Sequence, residues 1–439
     1  MMKKTVLLLM LCCCATTILA QTSARDEIKA NPYLAGSNYL DYDRQLPPRN
    51  YAPTPRGYEA FYLTHYGRHG SRWLLGDNDY SSIIKVLRKA ENQNKLTAKG
   101  RETLRQLEAF YPTTINRLGD LTTVGERQHH GIGRRMAENF PSIFKTKNLA
   151  IDARSTVVNR CILSMVAECE ELMAANPTAR IHNDVSESLQ YYLNQRRTGL
   201  VRENAGKGRD ERRQFRDKHT HPERLSSVLF NDQQWVRDSI DAASLMRHLF
   251  EVAINMQSHD TDIDLMPLFT NDELYEQWLW HNVDWYVDYG ASPLTGGYMP
   301  FSQRNLLRNI IETADTVLKS GNKQATLRFG HEVCVMPLAC LMELDSCGIS
   351  VADFDELEYR WQNYRIYPMA CNIQLIFYRP KKKGATSDVL VKAMLNEREA
   401  TLPIPTTQHP YYRWDDLRAY WTGRLDRFDA LNEAAENKK

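Results

Sequence analysis

Beyond its first twenty residues, this 439-residue chain has no stretch approaching the ~20 consecutive apolar residues that a membrane-spanning helix needs. Nor has it an excess of either charge, since 56 Lys and Arg face 54 Asp and Glu for a formal net charge of +2. Nucleic-acid binders usually carry a marked basic surplus, so that class finds no support and any preference for polyanions must be local. Cys-x-x-Cys pairs and Cys/His clusters at zinc spacing are missing. Cys12, Cys13 and Cys14 fall within the largely apolar first twenty residues. The other six (Cys161, Cys169, Cys334, Cys340, Cys347 and Cys371) are compatible either with disulfides of undetermined pairing or with small buried hydrophobes. There is no internal repeat, and no low-complexity linker beyond Lys381 to Gly384.

What is present begins with Lys3 and Lys4 and an apolar run from Thr5 to Ala20, the pattern of a secretory signal. Ile18-Leu19-Ala20 before Gln21 suits cleavage, whereas Leu9-Met10-Leu11-Cys12 lacks the small residue a lipobox wants before its cysteine. The expectation is an exported, soluble chain, periplasmic or extracellular after loss of residues 1–20, with cleavage preferred to a lipid anchor.

The aromatic-rich segment Tyr58 to Thr64 reads as a strand entering the Gly-containing run His65-Tyr66-Gly67-Arg68-His69-Gly70-Ser71-Arg72. Further strands are expected at Thr326 to Phe329, ending at Gly330-His331, and at Asn372 to Tyr378. Helices are expected from Thr122, a candidate N-cap, to Phe140, and from Val157 to Ala174. This alternation favours an α/β layer. Residues 184–323 are helix-prone, with helical spacing over Trp235 to His259 and Asn305 to Lys319. The chain is accordingly divided into an α/β unit in two parts, 21–183 and 324–439, with a helical insertion at 184–323 as a cap. Inside the insertion, Arg196 to Arg224 is densely basic. It reads either as a solvated face paired with Asp210, Glu211, Asp217 and Glu223 or as the lining of a polyanion pocket.

Two arginines flanking one imidazole is a costly arrangement unless an anion binds there. In Arg68-His69-Gly70-Ser71-Arg72 the like charges would lower the His69 pKa and keep a ring nitrogen free for attack, while the guanidiniums hold phosphoryl oxygens. By itself the run is also compatible with a glycine turn carrying surface arginines.

Four separated stretches carry a resemblance to the histidine acid phosphatase family, over most of the mature chain and closest to the phytases and multiple inositol polyphosphate phosphatases. They are His65 to Arg72; Leu121-Thr122-Thr123-Val124-Gly125-Glu126-Arg127-Gln128 with Gly133-Arg134-Arg135-Met136; Arg154-Ser155-Thr156 with Arg160 to Ser164; and Phe329-Gly330-His331-Glu332 with Pro337-Leu338. Leu395-Asn396-Glu397 resembles a late turn of the inositol polyphosphate branch. The resemblance implies a phosphoglycerate-mutase-like α/β sheet flanked by helices, and a phosphohistidine mechanism with no cofactor and no metal. His69 would be the nucleophile and Glu332 the proton donor. Arg68, Arg72, Arg160 and His331 would bind the substrate phosphate, with Arg154 as a rival to Arg160. The run His331-Glu332-Val333 departs from both family patterns, which place either aspartate directly after the histidine or glutamate one position later. The implied substrate is a small phosphate ester, an inositol polyphosphate before a sugar phosphate. Other readings are a broad-specificity acid phosphatase, a phosphomutase and a phosphate-ester binding protein of weak turnover.

Overall fold

The computed structural model describes residues 23–44, 50–382 and 388–437; the leader proposed at residues 1–20 lies outside the described residues. An eight-stranded sheet forms the centre. Strands β1 (Tyr58–Arg68), β2 (Ala150–Ser155), β3 (Arg180–Asp184) and β4 (Ala325–Gly330) are parallel, in the order β3-β2-β4-β1. Strand β5 (Asn372–Pro380) runs antiparallel to β1 and opens an antiparallel half made with β6 (Leu390–Leu395), β7 (Arg398–Glu399) and β8 (Tyr412–Arg413).

Every residue of β4 is buried, as a parallel strand covered on both faces must be. The period-two alternation of β5 sorts its side chains, with Ile373, Leu375 and Phe377 entering one core cluster and Ile376 and Tyr378 the other. On the second face pack the helices Thr123–Asn139, through Ile132 and Met136, and Asn159–Ala175, through Met165 and Leu172. The first face takes the helices Arg304–Ser320, Glu332–Met342 and Trp414–Glu436. No strand lies between β3 and β4 among the described residues, and the elements in that span are helical.

The three expected strands are present, the first running on through Arg68. Strand β2 was not foreseen because Asp152 and Arg154 interrupt its apolar pattern. The two pair at 2.8 Å and Lys323 joins Asp152 at 2.9 Å, which lets them sit in the sheet. The segment with helical spacing over Trp235 to His259 forms two helices, Gln233–Ser239 and Ala242–Asn255. Asp241 starts the second by accepting a bond from the Ser244 amide at 2.9 Å. Thr122 caps its helix as expected, through the Gly125 amide at 3.1 Å. Asn396 and Glu397 form a two-residue turn between β6 and β7 with φ of +54° and +58°, the hand a tight hairpin requires. Glu397 is held there by Arg135 at 2.7 Å and the Tyr42 hydroxyl at 3.0 Å. The six cysteines among the described residues are buried free thiols. No helix among those residues is long and apolar enough to cross a membrane.

Candidate active site

The carboxyl ends of the parallel strands converge, the place where ligands collect in open α/β sheets. Strand β1 delivers Arg68 and then His69, β4 delivers His331 and Glu332, and the helix that follows β2 begins with Asn159 and Arg160. Neighbouring backbone grips the turn. Arg68 N donates to the Cys371 carbonyl (2.8 Å), His69 N to that of Gly330 (3.0 Å), and Ala370 N to that of His69 (3.1 Å). Gly70 N donates to Ser164 Oγ (3.1 Å), Ser71 N to Gln128 Oε1 (2.9 Å), and Asn255 Nδ2 to the Arg72 carbonyl (3.1 Å). Glycine is obligatory at 70 and 125. A Cβ on Gly70 would stand 2.3 Å from the Gly125 carbonyl oxygen, and one on Gly125 would stand 2.3 Å from that of Ser71.

His69 is fully buried. Its Nδ1 lies 2.8 Å from the Gly70 carbonyl, which only accepts, so Nδ1 carries the proton and Nε2 keeps its lone pair. Nε2 has no hydrogen-bond partner and faces Glu332 Oε2 at 3.6 Å. Arg68 Nε sits 3.1 Å from the same oxygen, while Arg68 Nη1 donates to the Asn38 and Tyr367 carbonyls and leaves Nη2 unpartnered. Arg72 donates to the Trp73 carbonyl (2.9 Å) and reaches the Tyr39 hydroxyl (3.5 Å); Arg160 donates to the Gly119 carbonyl (3.2 Å). Each keeps a buried, unpartnered Nε. The His331 ring meets that of His69 edge-on, with centroids 5.6 Å apart. Unsatisfied buried donors are expensive, and an anion with several oxygens would satisfy these together.

Burial holds the His69 ring well below its usual pKa, against the opposing Glu332 carboxylate and with reinforcement from the Arg68 and Arg160 guanidiniums. His331 is brought down to about 4, chiefly by burial. Burial acts upward on Glu332, but the Arg68 charge, the His69 contact and Arg72 outweigh it and keep the carboxyl well below the usual range. A carboxylate therefore stands where the arginines would receive an anion. His69, His331 and Glu332 offer three ligand atoms within 4.8 Å of one another, a possible metal triad. The guanidiniums of Arg68, Arg72 and Arg160 act on these same groups and favour an anion there over a divalent cation.

The six residues singled out in the sequence thus meet at one point. The rival Arg154 does not join them, being paired with Asp152 at 2.8 Å and bonded to the Tyr192 hydroxyl at 3.1 Å. The basic run after Arg196 divides. Arg212 is paired with Asp288 (3.1 Å), Arg213 with Asp210 (2.8 Å) and Lys218 with Asp355 (3.8 Å). Arg197 instead lies over the Tyr289 ring at 5.2 Å. Its Nη2 donates to the Asp288 carbonyl at 3.4 Å, and burial pushes the Tyr289 hydroxyl up to about 12. Sequence reasoning missed Tyr39 and Asn255, which hold Arg72 by its side chain and its carbonyl. Neither sits in a motif; Asn255 alone carried a signal, as a polar residue within the largely apolar run Phe250 to Met256.

This sheet order brings an imidazole and three arginines together beyond the strand ends, a set of groups suited to holding a phosphoryl anion. Residues 67–396 match the histidine phosphatase superfamily (branch 2); the chain belongs to that family and is a histidine acid phosphatase. Among solved structures, it is similar to Bifidobacterium longum multiple inositol polyphosphate phosphatase in complex with inositol hexasulfate. The TM-score is 0.73 at 16% identity, over 89% of this chain and 97% of that one. The phosphate complex of the same protein gives a TM-score of 0.74 at 16% identity, with the same coverage. The phytase from D. castellii gives 0.67 at 12% identity, over 89% of this chain and 85% of that one. At these identities the likeness is one of fold. No curated protein sequence matches the chain.

Proposed function

We propose that this protein is an exported, metal-independent phosphomonoesterase that hydrolyses inositol polyphosphates through a phosphohistidine at His69. The observation that carries this reading is the Nε2 lone pair of His69, fixed by the Nδ1 bond to Gly70 and facing a space ringed by the unpartnered nitrogens of Arg68, Arg72 and Arg160. Nε2 attacks phosphorus and the bond to the ester oxygen breaks. The leaving oxygen takes a proton from Glu332, and the guanidiniums hold the three equatorial oxygens as their charge shifts. Water then attacks phosphorus, the P–N bond breaks, and Glu332 recovers a proton as inorganic phosphate forms.

Glu332 is ionised when the site is empty, so the acid step depends on the substrate. A phosphate dianion draws the arginines to itself and sets negative charge beside the carboxyl, and both effects raise its proton affinity. Because Glu332 directly follows His331, it opens the helix Glu332–Met342 and turns its side chain back toward Arg68 and His69. An inositol polyphosphate presents further phosphates, for which Arg197 beside Tyr289 offers a cation outside the first cage. Residues 184–323, helical between β3 and β4, serve in this reading as the cap over the two-part α/β unit.

The test compares phytate with a simple sugar phosphate, each with and without a chelator. Faster release of phosphate from phytate, unchanged by the chelator, is expected. Equal rates would favour a broad-specificity phosphatase, chelator-sensitive turnover would overturn the metal-free mechanism, and tight binding with negligible turnover would mark a binding protein.

A further inference from the structure

Behind the candidate nucleophile lies a buried acid–histidine pair that the reaction above does not use. His129, on the helix Thr123–Asn139, and Glu168, on the helix Asn159–Ala175, are each 0% exposed. His129 Nδ1 lies 3.1 Å from Glu168 Oε2, and His129 Nε2 lies 3.1 Å from the carbonyl oxygen of Arg68. Since that carbonyl can only accept, Nε2 carries a proton. One further proton must then lie between Nδ1 and the carboxyl, on either partner, because two lone pairs would otherwise oppose each other. The pair is thereby fixed in the one arrangement that donates to Arg68.

The peptide joining Arg68 to His69 is where β1 leaves the sheet. Of the four backbone groups of Arg68 and His69, three are held by backbone groups of Cys371, Gly330 and Ala370, and the Arg68 carbonyl is held by the His129 side chain. Sealing the space between two helices needs no carboxylate, because apolar residues of the same volume do so without the desolvation that a buried charge or its proton entails. The helices are even brought close for the purpose. Glycine at 133 lets the backbone of Glu168 approach to where a Cβ would stand 2.6 Å from its carbonyl oxygen.

We infer that His129, held by Glu168, is a positioning residue that fixes the Arg68–His69 peptide and so aims Nε2 of His69 at phosphorus. This rests on the reading of His69 as nucleophile. Two amide replacements separate the two bonds. Glutamine places its nitrogen near the position of Nε2 and can still donate to the Arg68 carbonyl; asparagine reproduces Nδ1 and keeps only the Glu168 contact.

The experiment measures the single-turnover rate of phosphohistidine formation in wild type, His129→Gln and His129→Asn, together with inhibition by inorganic phosphate and the melting temperature of each. His129→Gln is expected to react within about threefold of wild type and His129→Asn at least about tenfold more slowly, with phosphate inhibition constants that agree within about threefold. Equal rates in the two variants, or a slower His129→Gln, would overturn the inference, as would a loss in His129→Asn matched by an equal loss of phosphate binding. Absence of phosphohistidine in the wild type would instead sink the nucleophile assignment, so the two failures are told apart.

Discussion

Replacing Glu332 by glutamine removes one negative charge and one transferable proton while keeping the side chain's size. The carboxylate oxygen lies 3.1 Å from Arg68 Nε. Two unit charges at that separation attract by about 5 kcal/mol at an effective dielectric constant near 20. Most of this is offset by the desolvation of both groups, so a net of about 1.4 kcal/mol is a reasonable expectation. Freed from that competitor, Arg68 should bind inorganic phosphate about tenfold more tightly in Glu332→Gln. The rate effect should depend on the leaving group. An alkyl phosphate such as glycerol phosphate needs a proton on its departing oxygen, and its single-turnover phosphoryl transfer should slow by about 10²–10⁴-fold. Nitrophenolate departs without that help, and p-nitrophenyl phosphate should lose less than about tenfold. Equal losses on the two substrates would refute the role of Glu332 as acid, and weaker phosphate binding would refute the competition argument.

Gly125→Ala should destabilise the protein by about 1–3 kcal/mol or more, because its Cβ would collide with the Ser71 carbonyl, and a lowered melting temperature reads this out. Arg160→Met should raise KM by about tenfold or more through lost charge-assisted bonds, whereas Arg154→Met should leave KM near wild type, as steady-state kinetics would show. Stability should fall on acidification. Burial lowers His65, His259, His281 and His331 to about 4 each, so between about 6.5 and 4 the unfolded chain binds more protons than the folded one. The loss approaches about 1.4 kcal/mol per pH unit per group in that window, and urea midpoints at pH 7 and pH 5 check its sign.

The sequence made the chemistry legible where residue types were themselves unusual. Arg68-His69-Gly70-Ser71-Arg72 carries a charge pattern that suits an anion, and Thr122 announces a helix start because a hydroxyl cap has a local signature. The choice of Arg160 over Arg154 was harder, since both precede serine. It turns on a tertiary fact: Asp152, two residues away on the same strand face, already takes Arg154. Strand β2 was hidden for the same reason, its polar pattern balanced by Lys323 from a distant part of the chain. Tyr39, Asn255 and the His129–Glu168 pair act through hydrogen bonds between residues far apart in sequence, and no spacing rule reports such bonds.

The central claim is that His69 Nε2 becomes phosphorylated during turnover. Alkaline rapid quench with a phosphorus-labelled inositol polyphosphate, followed by peptide mapping, tests it most directly. The account predicts near-stoichiometric label on the peptide containing His69 in wild type and none in His69→Ala, which should also lose turnover. Full turnover in His69→Ala, or label on any other residue, would contradict it.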